Sequence, residues 1–89
     1  MASNFQISIH RNKDNLRLKL RGDFDGSSCY ELVNTIRNKS RHFKTIIIDT
    51  GNLRTVYPFG LTIWENSLSA IKNNVRLAVT GPYQDQLAL

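Results

Sequence analysis

The stretch that decides the fold reads Lys44-Thr45-Ile46-Ile47-Ile48-Asp49, a compact β-branched run with apolar residues on both faces. Such a run is typical of a central strand that follows a helical crossover, because neighbouring elements bury it. We expect this strand to pair in parallel with an earlier strand. The stretch 50–57 that follows contains turn-forming residues and is interpreted as a connection.

A β-hairpin precedes this strand. Residues 5–9 and 16–21 alternate apolar and polar side chains, which is the pattern of strands buried on one face. Residues 12–15 between them are turn formers and predict antiparallel pairing. The second strand directs its leucines inward, so we expect its basic side chains on an open sheet face: Arg17, Lys19 and Arg21.

Two amphipathic helices are predicted. The segment Asp25-Gly26-Ser27-Ser28 offers helix-capping side chains, and Asp25 is one candidate cap. Ser28 and Glu31 match the Ser-x-x-Glu capping box, so the first helix is expected to begin near Ser28 and to span roughly 28–40. Pro58 suits a first helical turn and opens a second helix over roughly 58–72, which Asn73-Asn74 end. Apolar residues recur at helical spacing in both segments: Cys29, Leu32, Val33, Ile36, then Leu61, Trp64, Leu68 and Ile71.

The last strand and the carboxyl terminus complete the element order. Residues 75–80 alternate again, and Gly81-Pro82 stop the strand. Residues 83–89 suffice for about two helical turns. The order is therefore β-β-α-β-α-β, an α/β fold with a four-stranded mixed sheet and a truncated third helix. Because crossovers between parallel strands are right-handed, we expect both main helices on one face of the sheet.

Length and composition limit the classes of protein. With 89 residues, 40% apolar and 21% charged, the chain is expected to form one globular domain over residues 1–89. Cys29 is the only cysteine, which excludes a disulfide within the chain and a cysteine-rich zinc site. We find no export signal and no apolar run long enough to span a membrane, so a cytoplasmic location is expected.

Few residues of the chain could carry chemistry. His10 and His42 have no second ligand in coordinating spacing, so no metal is expected. Cys29 falls on the apolar stripe of the first helix, where a buried free cysteine is commoner than a nucleophile. The scattered glycines match neither a Rossmann fingerprint nor a P-loop. We therefore predict a non-enzymatic chain without cofactors.

The second and third strands carry a family resemblance. Gly22-Asp23-Phe24-Asp25 closes the second strand with a Gly-acid-apolar-Asp pattern, and Ile46-Ile47-Ile48-Asp49-Thr50 is an apolar run ending in an acid. With the element order, these residues resemble the STAS domain of bacterial anti-sigma factor antagonists, over residues 5 to about 82. The resemblance implies a SpoIIAA-like fold and a role in protein–protein interaction within bacterial regulation.

The resemblance also locates the family's phosphorylation switch. STAS antagonists carry Asp-Ser-Ser-Gly-Leu or Asp-Ser-Thr-Gly-Leu at the start of the second helix, and an anti-sigma kinase phosphorylates the residue before the glycine. The corresponding residues here are Tyr57-Pro58-Phe59-Gly60-Leu61. The phenyl ring of Phe59 has no hydroxyl to accept a phosphoryl group, and Tyr57 replaces the acid. The chain is therefore expected to be non-phosphorylatable at this position and to bind its partner constitutively.

The carboxyl terminus departs from the family as well. STAS domains usually continue through a full third helix, and its loss would leave apolar surface near Val75, Leu77 and Val79 less covered. We expect either the tail from Leu87 to Leu89 or a partner chain to cover that surface.

The predicted docking surface combines two segments. The resemblance implies a surface formed by Asp25, Ser27 and Ser28 together with Tyr57, Pro58, Phe59, Gly60 and Leu61. Its partner would be an anti-sigma kinase-like protein or another STAS chain, in a dimer or larger homo-oligomer. Aromatic residues are enriched in interface hot spots, which makes Phe59 and Trp64 candidate contacts. The alternative for Trp64 is a core position on the apolar stripe of its helix.

A nucleic-acid-binding function stays open as an alternative. Twelve Lys and Arg against seven Asp and Glu give a net charge of +5, and Arg76 could join the basic side chains of the second strand on the open sheet face. No aromatic side chain accompanies Arg17, Lys19 and Arg21 on the outward face of the second strand, so a solvated sheet face explains the same charges. A small apolar ligand above the parallel strands, as reported across STAS-like domains, is a third and weaker hypothesis.

Overall fold

The computed structural model describes residues 4–72 and 75–87. The elements are β1 (Gln6–Asn12), β2 (Asn15–Phe24), α1 (Gly26–Lys39), β3 (Thr45–Val56), α2 (Pro58–Lys72) and β4 (Arg76–Thr80). The predicted order β-β-α-β-α-β is therefore confirmed. The two asparagines predicted to end the second helix lie outside the described residues.

The strands form one mixed sheet in the order β1-β2-β3-β4. β1 and β2 are antiparallel, whereas β2 pairs in parallel with β3, and β3 with β4. Leu16 lies opposite Ile46, which in turn lies opposite Leu77, so each of the three strands places a leucine or isoleucine in one core layer. The parallel pairing expected for the isoleucine-rich strand is confirmed.

Burial alternates along the strands, as expected for a sheet with helices on one face. Leu16, Leu18 and Leu20 are fully buried, while Arg17 and Lys19 between them are partly exposed. Both helices contribute to the same core, including Ile36 of α1 and the large side chain of Trp64 of α2. Trp64 is fully buried, so its alternative assignment to the core is the correct one.

The first helix begins earlier than the capping-box pattern predicts. α1 starts at Gly26, and Asp25 is its N-cap in an extended conformation, with its side chain accepting a hydrogen bond from the backbone N–H of Ser28. Ser28 consequently lies inside the first turn, so the prediction that it caps the helix with Glu31 is wrong. Of the two candidate caps, Asp25 and Ser28, Asp25, which directly follows β2, is the one that caps α1.

The segment 50–57 was expected to be a connection, but β3 continues through it to Val56. Two register shifts against β2 give β3 extra residues, at Gly51 and again near Arg54. The N–H of Gly51 donates to the Asp49 carboxylate at 2.8 Å, which holds the first irregularity. The turn-forming residues therefore produce bulges and do not end the strand.

The hairpin strands are also longer than predicted, and only Lys13 and Asp14 separate them. Lys13 takes a left-handed conformation with φ 54°. Gly22, in the Gly-acid-apolar-Asp motif, has φ +93°, and a Cβ there would collide with the backbone carbonyl of Asn4. This position thus requires glycine for two reasons: its φ is positive, and the amino-terminal segment approaches it too closely to leave room for a Cβ.

The carboxyl-terminal segment forms turns where about two helical turns were expected. Backbone hydrogen bonds from Gln84 to Gly81, and from Gln86 and Leu87 to Tyr83, shape it. Leu87 is fully buried, and its carbonyl accepts a hydrogen bond from Trp64 Nε1 at 3.1 Å. It belongs to the hydrophobic core cluster that also contains Val75 and Leu77. Coverage of the surface near Val75 and Leu77 by the tail stays a prediction. Residues 88 and 89 lie outside the described residues.

Candidate functional site

The amino ends of the two helices lie side by side at the carboxyl end of the parallel strands. The N–H of Tyr57 donates to the Phe24 carbonyl at 2.9 Å, which joins the start of α2 to the end of β2. A Cβ at Gly60 would lie 2.9 Å from the Asp25 carbonyl oxygen, so the first turn of α2 rests directly on the β2–α1 turn. The structure therefore brings together the two segments that the resemblance implied.

The turn that precedes α1 is held by its own hydrogen bonds. Ser28 is buried, and its hydroxyl lies 2.8 Å from the Asp23 carbonyl oxygen and 3.0 Å from Asp25 Oδ1. The hydrogen bond from the Ser28 backbone N–H lowers the pKa of Asp25, opposed in part by desolvation. Ser27 is exposed, so it is the serine of this turn that faces solvent.

The start of α2 presents aromatic side chains to solvent. Phe59 is 69% exposed and Tyr57 45% exposed, whereas Gly60 is buried and Leu61 partly buried. One side of the Phe59 ring lies against Gly26, because a Cβ built there would be 2.9 Å from Phe59 Cδ2. The ring is thus supported on one side by the α1 backbone and open on the other.

Tyr30 is a member of this surface that sequence analysis did not select. It is 61% exposed and lies one helical turn after Gly26, on the same side of α1. Side chains in helices lean toward the amino terminus, so Tyr30 leans toward the position where Phe59 packs. Its four-residue spacing from Gly26, off the apolar stripe of the helix, is the signal that would have indicated it. We call Tyr30, Tyr57 and Phe59 the aromatic patch.

An ion pair stabilises the edge of this site. Arg54 Nε and Nη2 donate to the two carboxylate oxygens of Asp23 at 3.0 and 2.8 Å. These bonds lower the pKa of Asp23. The Arg54 carbonyl accepts from the Tyr83 hydroxyl at 3.0 Å, which attaches the carboxyl-terminal segment to β3. The acid of the Gly-acid-apolar-Asp motif therefore links the end of β2 to the bulged end of β3.

The nucleophile candidate of the sequence is placed unfavourably for catalysis. Cys29 is fully buried, and desolvation raises the pKa of its thiol to about 12. A thiol with that pKa is protonated at neutral pH and is a poor nucleophile. Among residues 4–72 and 75–87, no three His, Cys, Asp or Glu side chains are grouped so as to hold a metal ion.

The basic side chains of β2 lie on the sheet face opposite the core, as their alternation indicates. Arg17 Nη1 donates to Asp49 Oδ2 at 3.2 Å, so part of the positive charge on that face is neutralised. Arg76 pairs with Thr45 of β3, which in turn pairs with Asn15 at the start of β2. Arg76 therefore lies on the same face of the sheet, at the end where β2 begins. This face therefore carries cations on β2 and β4, and an acid on β3 between them.

Solved structures share this arrangement of strands and helices. SpoIIAA, an anti-sigma factor antagonist solved in its unphosphorylated form, superposes with a TM-score of 0.65 at 15% identity, over 94% of this chain and 80% of its own. An anti-sigma factor antagonist from Mycobacterium paratuberculosis gives a TM-score of 0.69 at 12% identity, over 90% and 70% of the two chains. This chain has a STAS-like fold. The resemblance drawn from its second and third strands is confirmed at the level of fold.

A protein called Mglu contains a similar substructure, with a TM-score of 0.72 at 14% identity over 84% of this STAS-like chain. This chain spans only 19 to 27% of the Mglu chains that it matches. No protein-family model matches the sequence, and no curated protein matches it. Neither helix in the described part of the chain is long and apolar enough to cross a membrane.

Proposed function

We propose that this STAS-like chain is a non-enzymatic protein-interaction module that docks its partner at the adjoining amino ends of α1 and α2. The observation that carries the proposal is the placement of Phe59, which is 69% exposed and rests against Gly26. It stands where the family resemblance puts the phosphorylated residue. A large apolar side chain held open at that position favours constitutive docking over a phosphorylation switch.

The residues proposed to form the docking site have different roles. Tyr57, Phe59 and the added Tyr30 supply exposed aromatic area, which is enriched in interface hot spots. Ser27 and Pro58 are exposed beside them and would form part of the rim. Ser28 and Gly60 are buried, and Asp25 and Leu61 are partly buried. These four hold the two helix starts in position, Asp25 through its cap on α1.

The fold supports a proposal for the partner class. Two solved structures with this fold are anti-sigma factor antagonists, which supports a protein partner of anti-sigma kinase-like type or a second STAS chain in a homo-oligomer. The proposal takes residues 1–89 as one cytoplasmic domain acting in bacterial regulation. Nucleic acid is the alternative partner, and the pairing of Arg17 with Asp49 weakens the case for it.

The test is capture of partners from host lysate on the wild-type chain and on Phe59→Ala. We expect a protein that survives high salt and nuclease treatment to be retained by the wild type and lost with Phe59→Ala. Ile9→Ala is the matched control, because Ile9 is also an exposed large apolar residue, at 44%, but lies on the edge strand β1.

Two results would contradict the docking proposal. Retention of the same protein by Phe59→Ala would show that the aromatic side chain is not part of the interface. Recovery of nuclease-sensitive and salt-sensitive material, with no dependence on Phe59, would favour the nucleic-acid alternative.

A further inference from the structure

Charge is distributed unevenly between the two ends of the fold. The carboxyl ends of both helices, the β1–β2 turn and the amino ends of β3 and β4 lie together, opposite the aromatic patch, because each helix runs back along the strands it connects. Eight of the 12 lysines and arginines lie at this end with one acid, Asp14, which leaves four cations and six acids elsewhere. We call these eight the basic pole: Arg11, Lys13, Arg37, Lys39, Arg41, Lys44, Lys72 and Arg76.

The cations of the basic pole are not neutralised by ion pairs within the described residues. The two ion pairs found there join Arg17 to Asp49 and Arg54 to Asp23, and neither includes a residue of the basic pole. Unpaired like charges at one end of the fold repel one another and create a positive potential there, which favours the approach of an acidic molecule.

A cleft opens between the two helices at the basic pole. It has a volume of about 480 Å³, and its walls carry the exposed Arg37 and Arg41 together with Ser40. The remaining lining is apolar: Ile36, Ala70 and Ile71. A cleft lined by apolar side chains and two exposed arginines suits a molecule that carries carboxylates beside apolar groups.

This cleft is one end of the groove between α1 and α2, and the aromatic patch is the other end. Phe59 lies against Gly26 near the amino ends of both helices. Eleven residues further along each helix, Arg37 and Ala70 line the cleft together, so the helices run side by side over about 16 Å. The groove is therefore aromatic at one end and basic at the other.

We infer that the groove between α1 and α2 binds an acidic amphipathic helix of the partner protein. This inference rests on the proposed function and specifies the chemistry of the partner. Apolar side chains at one end of that helix pack on Phe59 and Tyr30, and carboxylates two to three turns away meet Arg37 and Arg41. Two helices lying side by side offer a third the ridges and grooves on which helices pack.

The orientation of the bound helix follows from electrostatics. Glutamates in the first turns of a helix are stabilised by the positive end of its dipole. A partner helix that runs antiparallel to α1 and α2 places those glutamates at the basic pole and its own amino end beside the carboxyl ends of both helices. The antiparallel arrangement is therefore the one that satisfies both interactions.

Other polyanions fit the groove less well. An anionic membrane requires several exposed apolar side chains that insert beside the cations, but the aromatic patch lies at the opposite end of the fold, which leaves Ile9, two residues from Arg11 on β1, as the one large exposed apolar side chain near the pole among the described residues. A nucleic-acid backbone would pair with the cations without using the apolar lining of the cleft. A helix with both acidic and apolar side chains uses both features.

The experiment uses a fluorescein-labelled peptide of about 18 residues, or roughly 27 Å of helix. One face of the peptide helix carries glutamates in the first two turns and leucines in the last two. Its binding to the full chain is followed by fluorescence anisotropy. We expect Arg37→Glu/Arg41→Glu to weaken binding about tenfold, because two attractive contacts become repulsive. A second peptide with lysines in place of the glutamates should bind Arg37→Glu/Arg41→Glu more tightly than it binds the wild type.

The matched control is Lys44→Glu/Arg76→Glu, which changes the net charge equally within the basic pole but outside the cleft. Circular dichroism establishes that each variant is folded, and Arg37→Gln/Arg41→Gln provides the same test if charge reversal prevents folding. The control variant should bind the acidic peptide nearly as well as the wild type does.

Three results would overturn the inference. These are no binding to the wild type, equal loss in the groove and control variants, and tighter binding of a single-stranded oligonucleotide that both variants weaken equally. The last would assign the basic pole to nucleic acid. None of them alters whether capture from lysate depends on Phe59, so failure of the groove and failure of the docking site are distinguishable.

Discussion

At Gly60 the first turn of α2 approaches the β2–α1 turn so closely that a Cβ would lie within 3.0 Å of three backbone atoms of Phe24 and Asp25. Alanine normally stabilises a helix relative to glycine, by about 1 kcal/mol. Here the steric cost of overpacking, about 1 to 3 kcal/mol, should exceed that gain. We expect Gly60→Ala to lower the free energy of unfolding measured by urea denaturation.

Gly26 provides the matched control for this prediction. A Cβ there would contact the ring of Phe59 and the end of the Ile63 side chain, and these can move where backbone atoms cannot. Gly26→Ala should therefore cost less than Gly60→Ala. Equal losses in the two variants would show that the backbone contact at Gly60 is not the cause.

The cap at Asp25 makes stability depend on pH. Its hydrogen bond from the Ser28 N–H lowers its pKa from the ordinary value of 3.8 in the folded state. A carboxylate of lowered pKa stabilises the fold fully above its unfolded pKa, and this contribution is lost as the pH falls through the folded pKa. We expect Asp25→Ala to lower the free energy of unfolding by about 1 kcal/mol at pH 7, and by less below about pH 3.8.

Asp25→Asn separates capping from titration, because asparagine caps helices but carries no proton equilibrium in this range. Urea denaturation at several pH values should give Asp25→Asn a stability near that of the wild type at pH 7. A wild-type advantage over Asp25→Ala that stayed constant down to pH 2 would contradict the role of the carboxylate.

At the scale of elements, the carboxyl-terminal segment is held by a single buried side chain and a hydrogen bond. Leu87 is fully buried and Trp64 Nε1 donates to its carbonyl at 3.1 Å. Because leucine-to-alanine changes in cores cost 2 to 5 kcal/mol and a chain end relaxes readily, we expect Leu87→Ala to cost about 2 kcal/mol. Thermal unfolding of Leu87→Ala measures this loss. Gln86→Ala, a change at the exposed neighbour, is the control.

The change at Gln86 should have little effect on the unfolding temperature. If Leu87→Ala were equally neutral, the segment would not contribute to the core, and the surface near Val75 and Leu77 would have to be covered in some other way.

At the scale of the whole molecule, the basic pole predicts a dependence of stability on salt. Eight cations at one end repel one another, and added salt screens that repulsion over a Debye length of about 10 Å at 0.1 M. Raising the salt concentration from about 0.02 to about 0.3 M should therefore increase the free energy of unfolding, by roughly 1 kcal/mol or less. Urea denaturation at the two concentrations measures the change.

Lys44→Glu should show a smaller salt effect than the wild type, because it removes one cation from the basic pole and adds an acid. Arg21→Glu alters the net charge equally on the sheet face outside the pole and should keep more of the effect. A salt effect that depended only on net charge would argue against the concentration of repulsion at one end.

Strand alternation and helical spacing predict the order of the elements, the parallel pairing of the isoleucine-rich strand and the single helix-bearing face, because these follow from which side chains must be buried. The position of the candidate site is implied by the family resemblance, and the amino ends of both helices, which form it, come directly after parallel strands. The presence of Phe59 at the position before Gly60 is visible in the sequence itself.

Only tertiary contacts decide the remaining features. Asp25 caps α1 in preference to Ser28, and β3 continues past Gly51, because neighbouring strands and turns supply hydrogen bonds that local propensity does not contain. The contribution of Tyr30 to the aromatic patch and the groove that joins it to the basic pole depend on how α1 lies beside α2. A sequence pattern specifies which face of a helix is buried, but the register between two packed helices is set by side chains distant in the chain.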